Sequence, residues 1–305
     1  MTRTVWLASY PKSGNTWIRM LVANLSATDG RTVDINELPD RGDIASARAP
    51  FDCLLLVESG VLTYDEVDCL RPRLHEELAR GAAGDPDCPP QDCPPVRLVK
   101  VHDAYTATPL GEPLLAGRRG ADAAVVIVRD PRDVAPSLAN HNGISIDQAI
   151  RFMGNPEAGY CNKPFMQVDQ LRQKLSTWSG HVASWLDQTD LPVHLVRYED
   201  LQADTVEVFA GLLEFARYPA SGESIRRAVE LADFAALQKL EKERGFREAP
   251  RPHAGSIFFR RGTAGGWRTE LSAGQAARIE REHAAMMRRL GYALSDTQHY
   301  AESTL

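Results

Sequence analysis

The segment Tyr10-Pro11-Lys12-Ser13-Gly14-Asn15-Thr16-Trp17 sets a lysine, a glycine and several hydrogen-bonding side chains between two apolar runs. Thr4 to Ser9 before it reads as a buried strand, and Thr16 to Leu25 after it as a helix. A strand–turn–helix joint aims unpaired backbone N–H groups and the positive end of the helix dipole outward, so the chemistry it suits is anion binding. Gly14 lets the backbone come close to a ligand, Ser13, Asn15 and Thr16 add donors, and Lys12 supplies a positive charge at the mouth. The pattern is not the Walker A loop, G-x-x-x-x-G-K-[ST], in which the lysine follows the second glycine. Here the lysine comes first, and no obvious Mg²⁺ ligand set accompanies it.

Three further clusters carry chemistry. In VVIVRDPRDVAPSLANH, Arg129 stands where a strand ends and Ser137 lies about two helical turns later; an Arg fork with a nearby hydroxyl can grip a terminal phosphate. The competing role for Arg129 is a turn ion pair with Asp130 or Asp133. Phe259 to Arg268 (FRRGTAGGWR) mixes arginines with glycines, as a loop that wraps a phosphate would. Finally, Leu98 to Asp103 (LVKVHD) is a strand ending in charge, and alternation puts Lys100 and His102 on one side. A histidine there can reach a substrate at the sheet edge, and its ordinary pKa near 6.5 suits removal of a hydroxyl proton.

The elements that must hold these clusters can be read from periodicity. Val96 to Val101 and Val193 to Arg197 read as strands, and Ala123 to Val128, with no polar residue, as a strand covered on both faces. Thr63 with Glu66 is a capping box opening a charged helix towards Arg80, bent near Pro72, and Gly/Pro/Asp-rich residues 81–95 read as a surface loop. A helix opens at Pro131. Val168, Leu171, Leu175, Trp178, Val182 and Trp185 form one apolar stripe, predicting a helix from Met166 to Leu186. Helices follow at about 205–216, 221–231 and 233–243, and from Ser272, with Gln275 as capping partner, to Gly291. The expectation is α/β: a central parallel β-sheet flanked by helices, one domain over residues 1–305, with ligand at the carboxyl ends of the strands.

YPKSGNTW resembles the 5′-phosphosulfate loop of the cytosolic-type sulfotransferase family, in a bacterial-style member. The segment from Arg129 to Ser137 is similar to that family's 3′-phosphate motif, and RRGTAGGWR to its R-K-G-x-x-G-x-W-K signature, with Arg261 and Arg268 where lysine is usual. K-x-H at Lys100 and His102 resembles the catalytic strand, and VRYEDL the strand-end Tyr-Glu-Asp. The matches fall in the family's order over residues 10–17, 98–102, 129–137, 196–200 and 259–268. The resemblance implies a P-loop-like sulfotransferase fold and transfer of a sulfuryl group from 3′-phosphoadenosine 5′-phosphosulfate (PAPS) to a hydroxyl or amine, releasing 3′-phosphoadenosine 5′-phosphate (PAP), without a metal. It implies His102 as general base, Lys12 at the bridging oxygen and Lys100 as an auxiliary cation. Ser13, Gly14, Asn15 and Thr16 would bind the 5′ side, Arg129, Ser137, Arg260, Arg261 and Gly262 the 3′-phosphate, and Trp17, Tyr198 and Phe234 the adenine. Ala232 stands where relatives carry a hydroxyl. Asp103 is a candidate to orient the imidazole, and His141 a second histidine for the acceptor site.

Composition narrows what remains. The formal net charge of −6 disfavours a nucleic-acid partner. Five cysteines, none paired as C-x-x-C, argue against a zinc site or disulfide framework; Cys88 and Cys93 fall in the 81–95 loop. No signal peptide and no run of roughly 18 apolar residues is visible, which points to a cytoplasmic protein without a membrane partner. Residues 30–95 and 142–165 carry no signature, so the acceptor is left as a small hydroxylated molecule, with a glycopeptide or carbohydrate as rival. Glu58, Asp65, Tyr160 and Phe165 are candidates for its pocket. The family's dimerisation pattern is absent after Trp267, so no oligomeric state is implied. The competing functions are a P-loop-like kinase or phosphotransferase and a non-catalytic nucleotide-binding module.

Overall fold

A strand that is apolar at every position needs cover on both faces, and Ala123–Val128 (β3) has it. Ala124, Val126 and Val128 pack into one core with Trp6 and Ala8, and Ala123, Val125 and Ile127 into a second with Val5 and Leu7. In the computed structural model, which describes residues 2–25, 27, 31–38, 44–81, 96–163, 168–249 and 257–295, these two cores lie on opposite sides of one parallel sheet. Its strands are β1 (Arg3–Ser9), β2 (Val96–Val101), β3 and β6 (Val193–Arg197), in spatial order β2-β1-β3-β6. All three pairings are parallel. A short antiparallel pair, β4 (Gly159–Tyr160) and β5 (Gln173–Lys174), stands apart. The strand order reverses around β1, so the carboxyl ends of β1, β2 and β3 border one crevice, where an open α/β sheet binds its ligand.

The helices are α1 (Asn15–Leu25), α2 (Arg48–Leu55), α3 (Tyr64–Gly81), α4 (Pro131–Asn142), α5 (Ile146–Met153), α6 (Trp178–Asp187), α7 (Tyr198–Ala203), α8 (Thr205–Ala216), α9 (Gly222–Leu231), α10 (Phe234–Arg244) and α11 (Ala273–Arg289). Side chains of α1, α8 and α9 fill one core, and those of α4, α5, α6 and α11 the other. The capping signals behave as their chemistry requires. Asp130 accepts from the Arg132 N–H at the start of α4, Thr63 and Glu66 cap α3, and Ser272 with Gln275 form the capping box of α11.

The helix expected from Met166 to Leu186 is half right. Residues 164–167, including Phe165 and Met166, lie outside the described residues, as does most of the 81–95 loop with Cys88 and Cys93. From 168 to 177 the chain is not helical, because tertiary partners take its backbone groups. The Leu171 N–H donates to the Ser46 carbonyl (2.7 Å), the Lys174 carbonyl accepts from Ala104 N–H (2.7 Å), and Lys174 N–H donates to Asp103 (2.9 Å). The helix begins only after Thr177, whose hydroxyl accepts from the Gly180 N–H. Leu171 and Leu175 are buried as the stripe demands, but from non-helical backbone.

Asp103 also departs from expectation. Its carboxylate receives both terminal nitrogens of Arg71 (3.0 and 2.7 Å), and both residues are fully buried. It thus ties the end of β2 to α3 and β5 and does not touch His102. Removing one partner of a buried ion pair leaves an uncompensated charge. Asp103→Ala is expected to lower unfolding free energy by about 3–5 kcal/mol, read from the urea midpoint.

Candidate active site

The turn after β1 is shaped for close approach. Lys12 has φ +70°, a left-handed conformation uncommon outside glycine, and Gly14 has φ +107°. A Cβ on Gly14 would sit 2.7 Å from the Tyr198 ring, so only glycine lets the loop pack against that aromatic. The Gly14 carbonyl accepts from Trp17 and Ile18 N–H groups, starting α1 and leaving the earlier amides of its first turn without helical partners. The Asn15 side chain donates to the Leu7 carbonyl (2.9 Å) and Ser9 Oγ (3.2 Å), so it fastens α1 to β1, and only its backbone N–H remains for a ligand.

A cavity of about 660 Å³ opens against this loop at the strand ends. It is lined by Lys12, Gly14, Asn15, Thr16 and Trp17 from the loop, Lys100 and His102 from the end of β2, and Arg129 and Ser137 from the end of β3 and α4. Tyr198, Phe234, Arg260, Arg261 and Gly262 complete the same wall. Of the residues expected to hold the donor or do the chemistry, Ser13 is not on the lining; its hydroxyl is buried without a protein partner. Tyr160 and His141 do line the cavity. Asp65 instead pairs with Arg172, and Glu58 is absent from the lining.

His102 is set by its neighbours. Its Nδ1 lies 2.8 Å from the Ser9 carbonyl oxygen, which can only accept, so Nδ1 carries the proton. Nε2 is left as the unprotonated, basic nitrogen. Burial, then the nearby Lys100 charge, pushes the imidazole down to about 3, so it is neutral near pH 7. His141 is held down in the same way to about 3, by burial, Lys12 and Lys100. Lys12 Nζ sits 3.5 Å over the Phe258 ring. Burial first, and then Lys100 and Arg129, lowers its ammonium to about 7.

The arginines are divided by their acids. Asp130 holds Arg132, which also reaches Glu280 (2.7 Å), and Asp133 accepts the Gly265 and Trp267 N–H groups (2.6 and 2.8 Å). Neither acid forms a salt bridge with Arg129 among the described residues. Arg129 instead lies 4.3 Å over the Tyr198 ring and donates to the Thr263 carbonyl (3.1 Å), facing the cavity. Asp133 thereby pins the glycine-rich loop beside Arg129. Arg260 and Arg261 both pair with Glu270. Gly262 (φ +63°) packs so near Phe234 that a Cβ would come within 2.3 Å of its ring. Trp17 and Tyr198 are 5.7 Å apart and tilted, and the Trp17 indole donates to the Ala232 carbonyl (3.1 Å). At position 232 it is therefore the backbone carbonyl that holds the Trp17 indole.

Sequence reasoning missed several lining residues. Glu248 lies among Lys100, Arg19 and Thr16, and Phe258 carries Lys12. Gln170 and Gln173 line the wall beside Tyr160, with Gln170 Oε1 accepting from Ser46 Oγ (3.1 Å) and Gln173 Nε2 (2.7 Å). Nothing local in the sequence marks them, because each arrives by tertiary folding from a stretch without a motif.

A family model described as the sulfotransferase domain matches residues 123–291. Cytosolic sulfotransferase 17 of Arabidopsis thaliana is 25% identical over 288 residues, covering 90% of this chain and 71% of that protein. Luciferin sulfotransferase of Photinus pyralis is 24% identical over 277 residues, covering 87% and 66%. Among solved structures, a mouse sulfotransferase complexed with PAP superposes with a TM-score of 0.56 at 16% identity, over 94% of this chain and 85% of that one.

Proposed function

The chain belongs to the sulfotransferase-domain family, and from that premise we propose that this cavity moves a sulfuryl group from PAPS to a hydroxyl of a small-molecule acceptor. The observation that carries the reading is the convergence on one cavity of the Lys12–Trp17 loop, Arg129 with Ser137, the 260–262 loop and a histidine with a bare Nε2. The turn amides, Thr16 and Lys12 bind the 5′ side of the donor. Arg129, Ser137, Arg260, Arg261 and Gly262 bind its 3′-phosphate, and Trp17, Tyr198 and Phe234 flank the adenine. The PAP bound in the mouse sulfotransferase structure and the luciferin in a relative's name support this donor and a small acceptor. Tyr160, Gln170 and Gln173 give the acceptor end hydrogen-bonding character.

The chain's residues then divide the reaction. The acceptor oxygen bonds to sulfur as the bond from sulfur to the bridging phosphate oxygen breaks. His102 Nε2 takes the acceptor proton. Lys12 stabilises charge on the departing oxygen, and Lys100 stands beside the moving group. No helix among the described residues is long and apolar enough to cross a membrane. A cytoplasmic location is our reading, in keeping with the name of the Arabidopsis relative.

Calorimetric titration with PAP and AMP tests the donor. Hydrogen bonds to a charged group contribute about 1.5–3 kcal/mol, so PAP is expected to bind about 10- to 100-fold tighter than AMP. Equal binding, or none, would remove the donor and with it the proposed transfer.

A further inference from the structure

One carboxylate reaches this cavity beside Lys100 and the opening turn of α1. Glu248 Oε2 lies 2.9 Å from Lys100 Nζ and 3.5 Å from Thr16 Oγ1, and Oε1 lies 2.5 Å from Arg19 Nη1. Burial alone would raise this carboxyl, yet Lys100 and Arg19 outweigh it and hold it at about 2. The placement is built by the backbone. After α10 the chain turns through Gly245 (φ +70°), and Asn36 clamps the turn, donating to the Gly245 carbonyl (3.0 Å) and accepting from the Arg247 N–H (2.8 Å). Arg244 adds an ion pair to Asp34 (2.6 Å). The clamp carries Glu248 onto the opening turn of α1 from a position far away in sequence.

We propose that Glu248 is an internal stand-in for the donor anion: its carboxylate and the 5′ side of the donor compete for Thr16 and Lys100, so the donor binds by displacing Glu248. The inference rests on the donor reading above. Its physical basis is charge balance in a crowded site. Lys100 and Arg129 disfavour the charge on buried Lys12, and Lys100 with Arg19 flanks Glu248, so cations crowd this end of the cavity. An anion there relieves the repulsion, and before the donor arrives the chain supplies one itself. Two anions on the same cations would repel, so occupancy is exclusive. A ligand whose site is available only part of the time binds more weakly by that fraction. Arg129, Ser137 and Arg260 form no hydrogen bond or ion pair with Glu248 among the described residues, so the contest concerns the 5′ side.

The test is calorimetric titration of the wild type and Glu248→Gln with PAP and, separately, AMP. A carboxylate that holds the site nine-tenths of the time weakens binding about tenfold. Glu248→Gln is therefore expected to bind both ligands about tenfold tighter, leaving the ratio of PAP to AMP affinity unchanged. Glu248→Ala, which also removes the charge, must move both ligands the same way. Unchanged or weaker binding by both variants overturns the proposal, as does a gain confined to PAP. The wild-type PAP to AMP ratio tests the donor independently: if it is near one while Glu248→Gln still tightens AMP, the donor reading fails and the competition stands.

Discussion

His102→Ala is expected to lower kcat by about 10²- to 10⁴-fold, the range for loss of a positioned general base, while PAP affinity stays within about twofold. Steady-state rates with a screened acceptor and calorimetry with PAP check the two halves together. The expectation follows from the division of labour on the imidazole. Nδ1–H is committed to the Ser9 carbonyl, so the ring cannot turn over without losing that bond, and Nε2 is the nitrogen presented to the cavity. A drop in kcat together with a large loss of PAP binding would mean that His102 supports the donor loop through Ser9 and is not the base.

The same residue sets an expectation for pH. An ordinary histidine base would give the rate an acidic limb near pH 6.5. Here the imidazole of the free protein is held at about 3 by burial and by Lys100, so it is already unprotonated at pH 5. The low value also means that the ring takes a proton poorly in the free protein, where burial and Lys100 outweigh the nearby Glu248. Bound donor brings negative charge beside Lys100 and raises the imidazole towards its usual range. Donor binding thus prepares the base, and the acceptor's proton has a destination only once the donor is in place.

How much of this was legible in the sequence depends on the distance over which each feature is determined. The strands at Val96–Val101, Ala123–Val128 and Val193–Arg197 match their expected bounds, because an apolar run between turn residues has one solution in a covered parallel sheet. Loop 10–17 was readable for a related reason: a lysine, a glycine and a helix start act within one turn of chain. The 166–186 stripe misled because burial of Leu171 and Leu175 looks the same in a pattern whether the backbone is helical or not, and Ser46, Asp103 and Ala104, which decide it, are remote. The short helix α5 carries its signal, a Ser145–Gln148 capping box, in a stretch set aside for lack of chemistry. Asp103 sits beside the proposed base in sequence and turns the other way, because Arg71 offers two donors inside the core. Glu248 was invisible: in the charged run EKERGFRE nothing separates the one residue that reaches the cations from its neighbours.

Lys12→Met is expected to lower kcat by about 10²- to 10³-fold, the effect of removing one group aimed at charge that develops in the transition state. Its more discriminating consequence lies in the pH dependence of donor binding. In the free protein Lys12 is held at about 7, by burial and then by Lys100 and Arg129, so it is charged below pH 7 and increasingly neutral above it. The donor brings negative charge and favours the ammonium, so the bound state carries the higher pKa. Binding must then take up a proton above pH 7, and PAP affinity falls by up to tenfold per pH unit between pH 7 and the bound value, while below pH 7 this contribution is flat. Calorimetry at pH 6, 7, 8 and 9 reads the slope. Lys12→Met abolishes the alkaline fall, since nothing remains there to protonate. Lys12→Arg, whose guanidinium stays charged throughout, abolishes it too while keeping more of the rate than methionine does. A fall that persists unchanged in both variants would assign the proton to another group, and Lys12 would no longer be the cation whose charge the donor fixes.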